Sequence, residues 1–120
     1  MGLTHVLVEL RSLAAPNGAF QAEFLVDTGA TDCVVPASAL ERIGVDPQGA
    51  RLYELADGTR REYRFGFVRI EVMGEVTVGR ALFGLEETEP VLGVTALESA
   101  GLTVDPTTQQ LKKLPAIPLK

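Results

Sequence analysis

Residues Ala19 to Val26 read as a buried strand, and that strand ends abruptly in Asp27-Thr28-Gly29. An ionised carboxylate at the end of an apolar run is expensive to bury unless something compensates it. Asp27 therefore calls for an explanation from the rest of the chain. After Ala30-Thr31-Asp32 the sequence turns apolar again at Cys33-Val34-Val35, a second short strand. A loop of small and polar residues is thus held between two apolar strands.

The remaining apolar residues fall into similarly short pieces. Twelve glycines and seven prolines divide the 120 residues, which favours strands and turns over long helices. One domain, residues 1–120, is expected, with a modest core. Leu3 to Leu10 alternates, placing Thr4, Val6, Val8 and Leu10 on one face. Asn17-Gly18 supplies a tight hairpin turn before the second strand. Pro36 opens a short helix through Ile43 that stops at Gly44. Arg51 to Val72 reads as a long hairpin with Asp57-Gly58 as a two-residue turn. That turn sets Ala56 opposite Thr59, Leu55 opposite Arg60, Glu54 opposite Arg61 and Tyr53 opposite Glu62. Strands are expected at Phe67–Val72, Val76–Val78 and Arg80–Leu85. Thr95 with Glu98 has the capping-box pattern for a second helix ending at Gly101. Leu102–Asp105 and Gln109–Leu114 flank a turn at Pro106-Thr107-Thr108. The tail from Pro115 suits an edge or intersubunit strand.

Charge and cysteine usage narrow the function. A net charge of −5 argues against a nucleic-acid partner, because phosphate binding needs a basic face. The acidic run Glu86-Glu87-Thr88-Glu89 is a solvated connection without converging metal ligands, and no metal or cofactor is expected. Cys33 is the single cysteine, so it makes no intrachain disulfide; it reads as a small core residue, with a nucleophilic thiol as the sharper alternative. His5 has no Ser or Cys motif to serve. The first residues lack a signal-peptide pattern, and no apolar run approaches the roughly 20 residues of a membrane span. A soluble, cytoplasmic protein with no membrane partner is expected.

Asp27-Thr28-Gly29, entered from an apolar strand and followed by Ala30-Thr31-Asp32-Cys33-Val34-Val35, resembles the active-site segment of the aspartic proteases, in particular their retropepsin-like branch. Val91-Leu92-Gly93 matches the hydrophobic-hydrophobic-Gly element that packs against the active-site loops in that branch. Ala39-Leu40-Glu41 echoes Ala96-Leu97-Glu98, consistent with two pseudo-symmetric halves. The resemblance implies an all-β, closed retropepsin-like barrel with one or two short helices and a flap hairpin. It also implies an aspartic endopeptidase. Such catalysis needs two carboxylates sharing a proton, and the chain carries one Asp-Thr-Gly, so a homodimer pairing Asp27 of two chains is implied. Thr28 would then bond across the dimer axis, and Gly29 would let backbone N–H groups approach the carboxylates. Ala30, Thr31 and Asp32 would line the groove for an extended peptide, with Asp32 alternatively capping a solvated turn. Ala56, Asp57 and Gly58 would present flap backbone to the substrate; a plain structural hairpin is the other reading of that segment. Ala30 offers no hydroxyl to the carboxylate, so an activity optimum at mildly rather than strongly acidic pH is expected. Two other functions stay open: a catalytically inactive protease-like binding or dimerisation domain, and an unrelated small β-barrel peptide-binding module.

Overall fold

A computed structural model of the chain describes residues 4–14 and 18–119. The expected Asn17-Gly18 turn and the start of the first strand at Leu3 involve positions outside the described residues. Strands β1 (His5–Ser12) and β2 (Phe20–Asp27) pair antiparallel, with Leu10 opposite Phe20 and His5 opposite Leu25. The alternation anticipated for the first strand holds: Val8 and Leu10 are buried while Leu7 is exposed.

Seven further strands and two short helices follow in the order β3 (Cys33–Pro36), α1 (Ala37–Arg42), β4 (Gly49–Glu54), β5 (Arg60–Val72), β6 (Glu75–Gly84), β7 (Val91–Gly93), α2 (Val94–Ser99), β8 (Leu102–Val104) and β9 (Leu111–Lys113). The main sheet runs β1-β2-β7-β3-β6-β5-β4, and β1 also pairs with β5. That extra pairing joins β1, β2, β7, β3, β6 and β5 into a closed barrel and leaves β4 outside it. The division lies along the 13-residue strand β5. Its first half, Arg60–Phe65, pairs with β4 as a projecting arm; its second half, Val68–Val72, pairs with β1 inside the barrel. Phe24, Leu10, Leu40, Ile70 and Leu92 are among the fully buried side chains that fill the barrel. Burial of each such side chain is worth roughly 1.5–3 kcal/mol, the main term holding a chain of this size together.

Several local expectations change. Val76–Val78 and Arg80–Leu85 are one strand, because pairing with β5 continues through Val68 opposite Gly79. The arm's register is one residue away from the anticipated one: Glu54 faces Arg60, Tyr53 faces Arg61 and Leu52 faces Glu62. The turn is the cause. Gly58 N–H donates to the Leu55 carbonyl at 2.9 Å and Leu55 N–H to the Thr59 carbonyl at 2.7 Å, so the loop has three residues, with Gly58 at φ 86° in the left-handed region. A type I turn closed by a left-handed glycine has this geometry. Asp57 reinforces it by accepting from Thr59 N–H at 3.0 Å and Thr59 Oγ1 at 2.6 Å. The ion pair across the arm is accordingly Glu54–Arg60, at 3.7 Å.

Pro36 ends β3 and caps α1 with ψ 137° instead of entering the helix. Glu86 reaches the helix start from the acidic connection: Ser38 N–H and Ser38 Oγ donate to its carboxylate at 3.1 and 2.5 Å. That run is therefore partly structural and not wholly solvated. The capping box at Thr95 does not form. Gly93 is the cap residue of α2 and Thr95 lies inside the helix, with no side-chain cap bond. Residues 115–119 form no strand in the single chain. The helical echo is physical: α1 buries Ala39 and Leu40, and α2 buries the matching Ala96 and Leu97.

Candidate active site

Parallel pairing of β2 with β7 aligns Leu25 with Val91, Val26 with Leu92 and Asp27 with Gly93. Asp27 is therefore held at a strand end by its backbone while its side chain leaves the sheet. The residue is exposed, so within the single chain its carboxylate carries no burial cost. Asp27 Oδ1 accepts the Gly29 N–H at 2.9 Å, and the Asp27 carbonyl accepts the Ala30 N–H at 3.1 Å, folding the loop into a tight turn. A Cβ on Gly29 would lie 3.3 Å from Asp27 Oδ1, so glycine leaves room for that N–H approach. Thr28 is exposed, and its hydroxyl has no partner among the described residues.

Helix α2 explains how a loop of small residues keeps its shape. Its first free N–H groups, on Val94 and Thr95, donate to the carbonyls of Ala30 and Thr31 at 2.8 and 3.2 Å. The donors a side-chain cap would satisfy are instead spent on the Asp27 loop, which is why the capping box is unnecessary. Gly93 makes the docking possible. A Cβ there would sit 2.6 Å from Asp32 C, 2.7 Å from Asp32 O and 2.8 Å from Thr31 O. Cys33, the first residue of β3 after the loop, is buried, and burial pushes its thiol up to about 11. A thiol so poorly ionised is core material, and the nucleophile alternative falls away.

Beside the loop lies a cavity of about 360 Å³, walled by Ala30, Thr31 and Asp32 on one side and by Leu52, Tyr53 and Tyr63 of the arm on the other. Gly29 also lines it; Asp27 and Thr28 do not, and Ala56, Asp57 and Gly58 stay exposed at the arm's tip. Asp32 is neither a solvated cap nor a free groove carboxylate. Its side chain is 10% exposed, accepts the Tyr53 hydroxyl at 2.6 Å, and lies 3.9 Å from Arg80 Nη1 on β6. Sequence inspection missed Tyr53 and Arg80, since their link to Asp32 arises only when the arm folds back over the loop. His5 contacts Glu89 at 2.8 Å, away from this region.

A closed barrel of this topology, with a Gly-bearing loop at the end of β2 packed against the glycine that ends β7 and caps α2, is the retropepsin-like architecture. The solution structure of a simian foamy virus (mac) protease matches it with a TM-score of 0.56 and 18% identity, covering 78% of this chain and 91% of that one. Residues 13–96 match an aspartyl protease family, and the chain belongs to that family. A comparison with curated protein sequences returns no match. Family membership removes the unrelated peptide-binding barrel from consideration and makes the protein a peptidase of the aspartyl type.

Proposed function

We propose that the protein is a homodimeric aspartic endopeptidase whose catalytic dyad is Asp27 from each of two chains. The observation that carries this is the state of Asp27: a carboxylate exposed at the end of β2, holding one backbone N–H and no cation among the described residues. No other aspartate in the chain is suited to complete a dyad. Asp32 is engaged by Tyr53, while Asp57 and Asp105 accept backbone N–H groups of their own turns, at Thr59 and Thr107. Asp46 lines a different cavity, with Ser12 and Phe67. In this reading the second carboxylate comes from a second chain, and the unpartnered Thr28 hydroxyl is available to bond across the same axis.

In the dimer, two carboxylates at contact distance share one proton, since both cannot remain ionised so close together. The ionised member takes a proton from a water as that water attacks the scissile carbonyl. The protonated member donates to the carbonyl oxygen, giving a tetrahedral gem-diol. The carboxyl that took the water proton then gives it to the amide nitrogen, the C–N bond breaks, and a gem-diol hydroxyl returns its proton to the dyad, leaving the amine and a carboxylic acid. The β4–β5 arm serves as the flap. An extended peptide beneath it would pair as an added strand, with one side chain entering the cavity between Ala30 and Tyr53. The tail from Pro115 would pair with its counterpart in the second chain.

Asp27→Asn tests this directly. The variant should sediment as the wild-type dimer and lose peptide hydrolysis by about 10²–10⁴-fold, the range expected for loss of a general acid–base group. Wild-type activity per chain should fall on dilution as dimers dissociate. A dimeric Asp27→Asn protein with full activity, or a monomer that cleaves, would show that Asp27 pairing is not the mechanism.

A further inference from the structure

We infer that Tyr53 is a positioning residue: through Asp32 and Arg80 it latches the β4–β5 arm to the loop that carries Asp27, setting the height of the groove before substrate arrives. Tyr53 Oη donates to Asp32 Oδ2 at 2.6 Å, and Arg80 Nη1 reaches the same hydroxyl at 3.4 Å. The three residues come from β4, the active-site loop and β6, so the contact ties the arm to both the loop and the barrel wall.

The second strand of the arm is held at the same point. Arg80 Cζ stands 4.3 Å over the Phe65 ring, and Tyr53 meets Tyr63 edge-on with centroids 6.0 Å apart. Beyond this level the polar contacts of the arm are its own, the hairpin ladder, the Glu54–Arg60 ion pair at 3.7 Å and the Asp57–Thr59 bonds, and its tip at Ala56-Asp57-Gly58 is exposed. Tyr53 is thus where a projecting hairpin becomes fixed to the barrel. The short bond to a nearly buried carboxylate is charge-assisted, the stronger kind of hydrogen bond. Burial and the Asp32 contact push the Tyr53 phenol up, so it remains a donor throughout the pH range of peptidase activity.

Tyr53 touches no reacting atom. Its effect would be on the arm's preorganisation, and hence on substrate capture more than on the chemical step. This part rests on the endopeptidase activity proposed above; the physical latch does not.

Tyr53→Phe removes one hydroxyl and keeps the ring. Tyr63→Phe is the matched control, because Tyr63 lines the same cavity and its hydroxyl has no partner among the described residues. Amide hydrogen exchange followed by mass spectrometry should show residues 49–64 exchanging roughly tenfold faster in Tyr53→Phe, the scale of one charged hydrogen bond, with barrel strands β1 and β6 unchanged. Peptide kinetics should show a KM raised several-fold with kcat within about twofold. Tyr63→Phe should match wild type in exchange. The latch is refuted if Tyr53→Phe exchanges like Tyr63→Phe, or if exchange accelerates equally over the whole barrel. Faster arm exchange with an unchanged KM would refute the positioning role. Should the wild type cleave no peptide, the proposed activity fails while the exchange result still decides the latch.

Discussion

Gly93→Ala is the sharpest test of how the site is built, because it adds one methyl group and changes no charge. The backbone at Gly93 has φ −85° and ψ 167°, an extended conformation open to any residue, so no strain arises from the dihedrals. The obstacle is steric. The new Cβ would fall 2.6 Å from Asp32 C, 2.7 Å from Asp32 O and 2.8 Å from Thr31 O. All three are backbone atoms, which cannot rotate away as a side-chain tip can. Relief requires β7 and the Asp27 loop to separate, and overpacking of this kind costs about 1–3 kcal/mol. Separation also stretches the bonds from Val94 and Thr95 to Ala30 and Thr31, at 2.8 and 3.2 Å. The two together are worth about 2 kcal/mol net, and losing about half of that by stretching brings the expected total near 2–4 kcal/mol. At about 4 °C per kcal/mol for a chain of this length, the melting temperature should drop by roughly 8–16 °C. Gly79→Ala is the control: its Cβ would meet only Ile70 Cδ1, at 3.3 Å, the movable end of a side chain. That change should stay under about 1 kcal/mol. Thermal unfolding by circular dichroism at one fixed protein concentration compares them, since self-association would make the midpoint concentration-dependent. If Gly93→Ala melts within about 2 °C of wild type, the close approach of β7 to the loop does not hold the site together.

Three other outcomes follow from the same structure. Gly58 sits at φ 86°, and a methyl group added there would have nothing within 4 Å, so Gly58→Ala should cost only the left-handed strain, about 1–2 kcal/mol of local arm stability, and Gly58→Asn less; equal hydrogen exchange of the arm in all three proteins would refute the three-residue turn. Cys33, with its thiol raised to about 11, should resist a thiol-specific disulfide reagent at pH 8 in the native protein and react at once in denaturant; prompt stoichiometric labelling of the native protein would contradict its burial. Ser38 holds the Glu86 carboxyl below its ordinary value of 4.5. A depressed folded-state value means the stabilisation is fully present above 4.5 and is lost as pH falls through the folded value. Urea unfolding should therefore show Glu86→Gln less stable than wild type at neutral pH, with the gap closing under acid; a gap that widens on acidification would reverse the sign and refute the contact.

Much of the architecture was legible along the chain because short-range physics wrote it there. Alternation exposed the buried face of β1, Gly44 and Gly101 marked the ends of the two helices at φ 85° and 74°, and the matching Ala-Leu pairs showed two helices burying the same face. Asp27-Thr28-Gly29 and Val91-Leu92-Gly93 stood out as motifs, and membership of the aspartyl protease family followed from segments contiguous in sequence.

What stayed hidden depended on atoms far apart along the chain. The register of the arm turned on whether Asp57-Gly58 makes a two- or a three-residue loop, a difference of one hydrogen bond that slides every cross-strand pair. The capping box at Thr95 was plausible locally and lost to carbonyls of Ala30 and Thr31, which only the closed barrel brings within reach. Asp32 read as a groove or turn residue until β4 and β6 delivered Tyr53 and Arg80 to it. The linear order of residues settles which carboxylate ends the apolar strand and which glycines can approach it. Which backbone and side-chain groups hold that loop is settled by the folded barrel, because hydrogen-bond partners are chosen by distance in space, and the barrel's closure sets those distances.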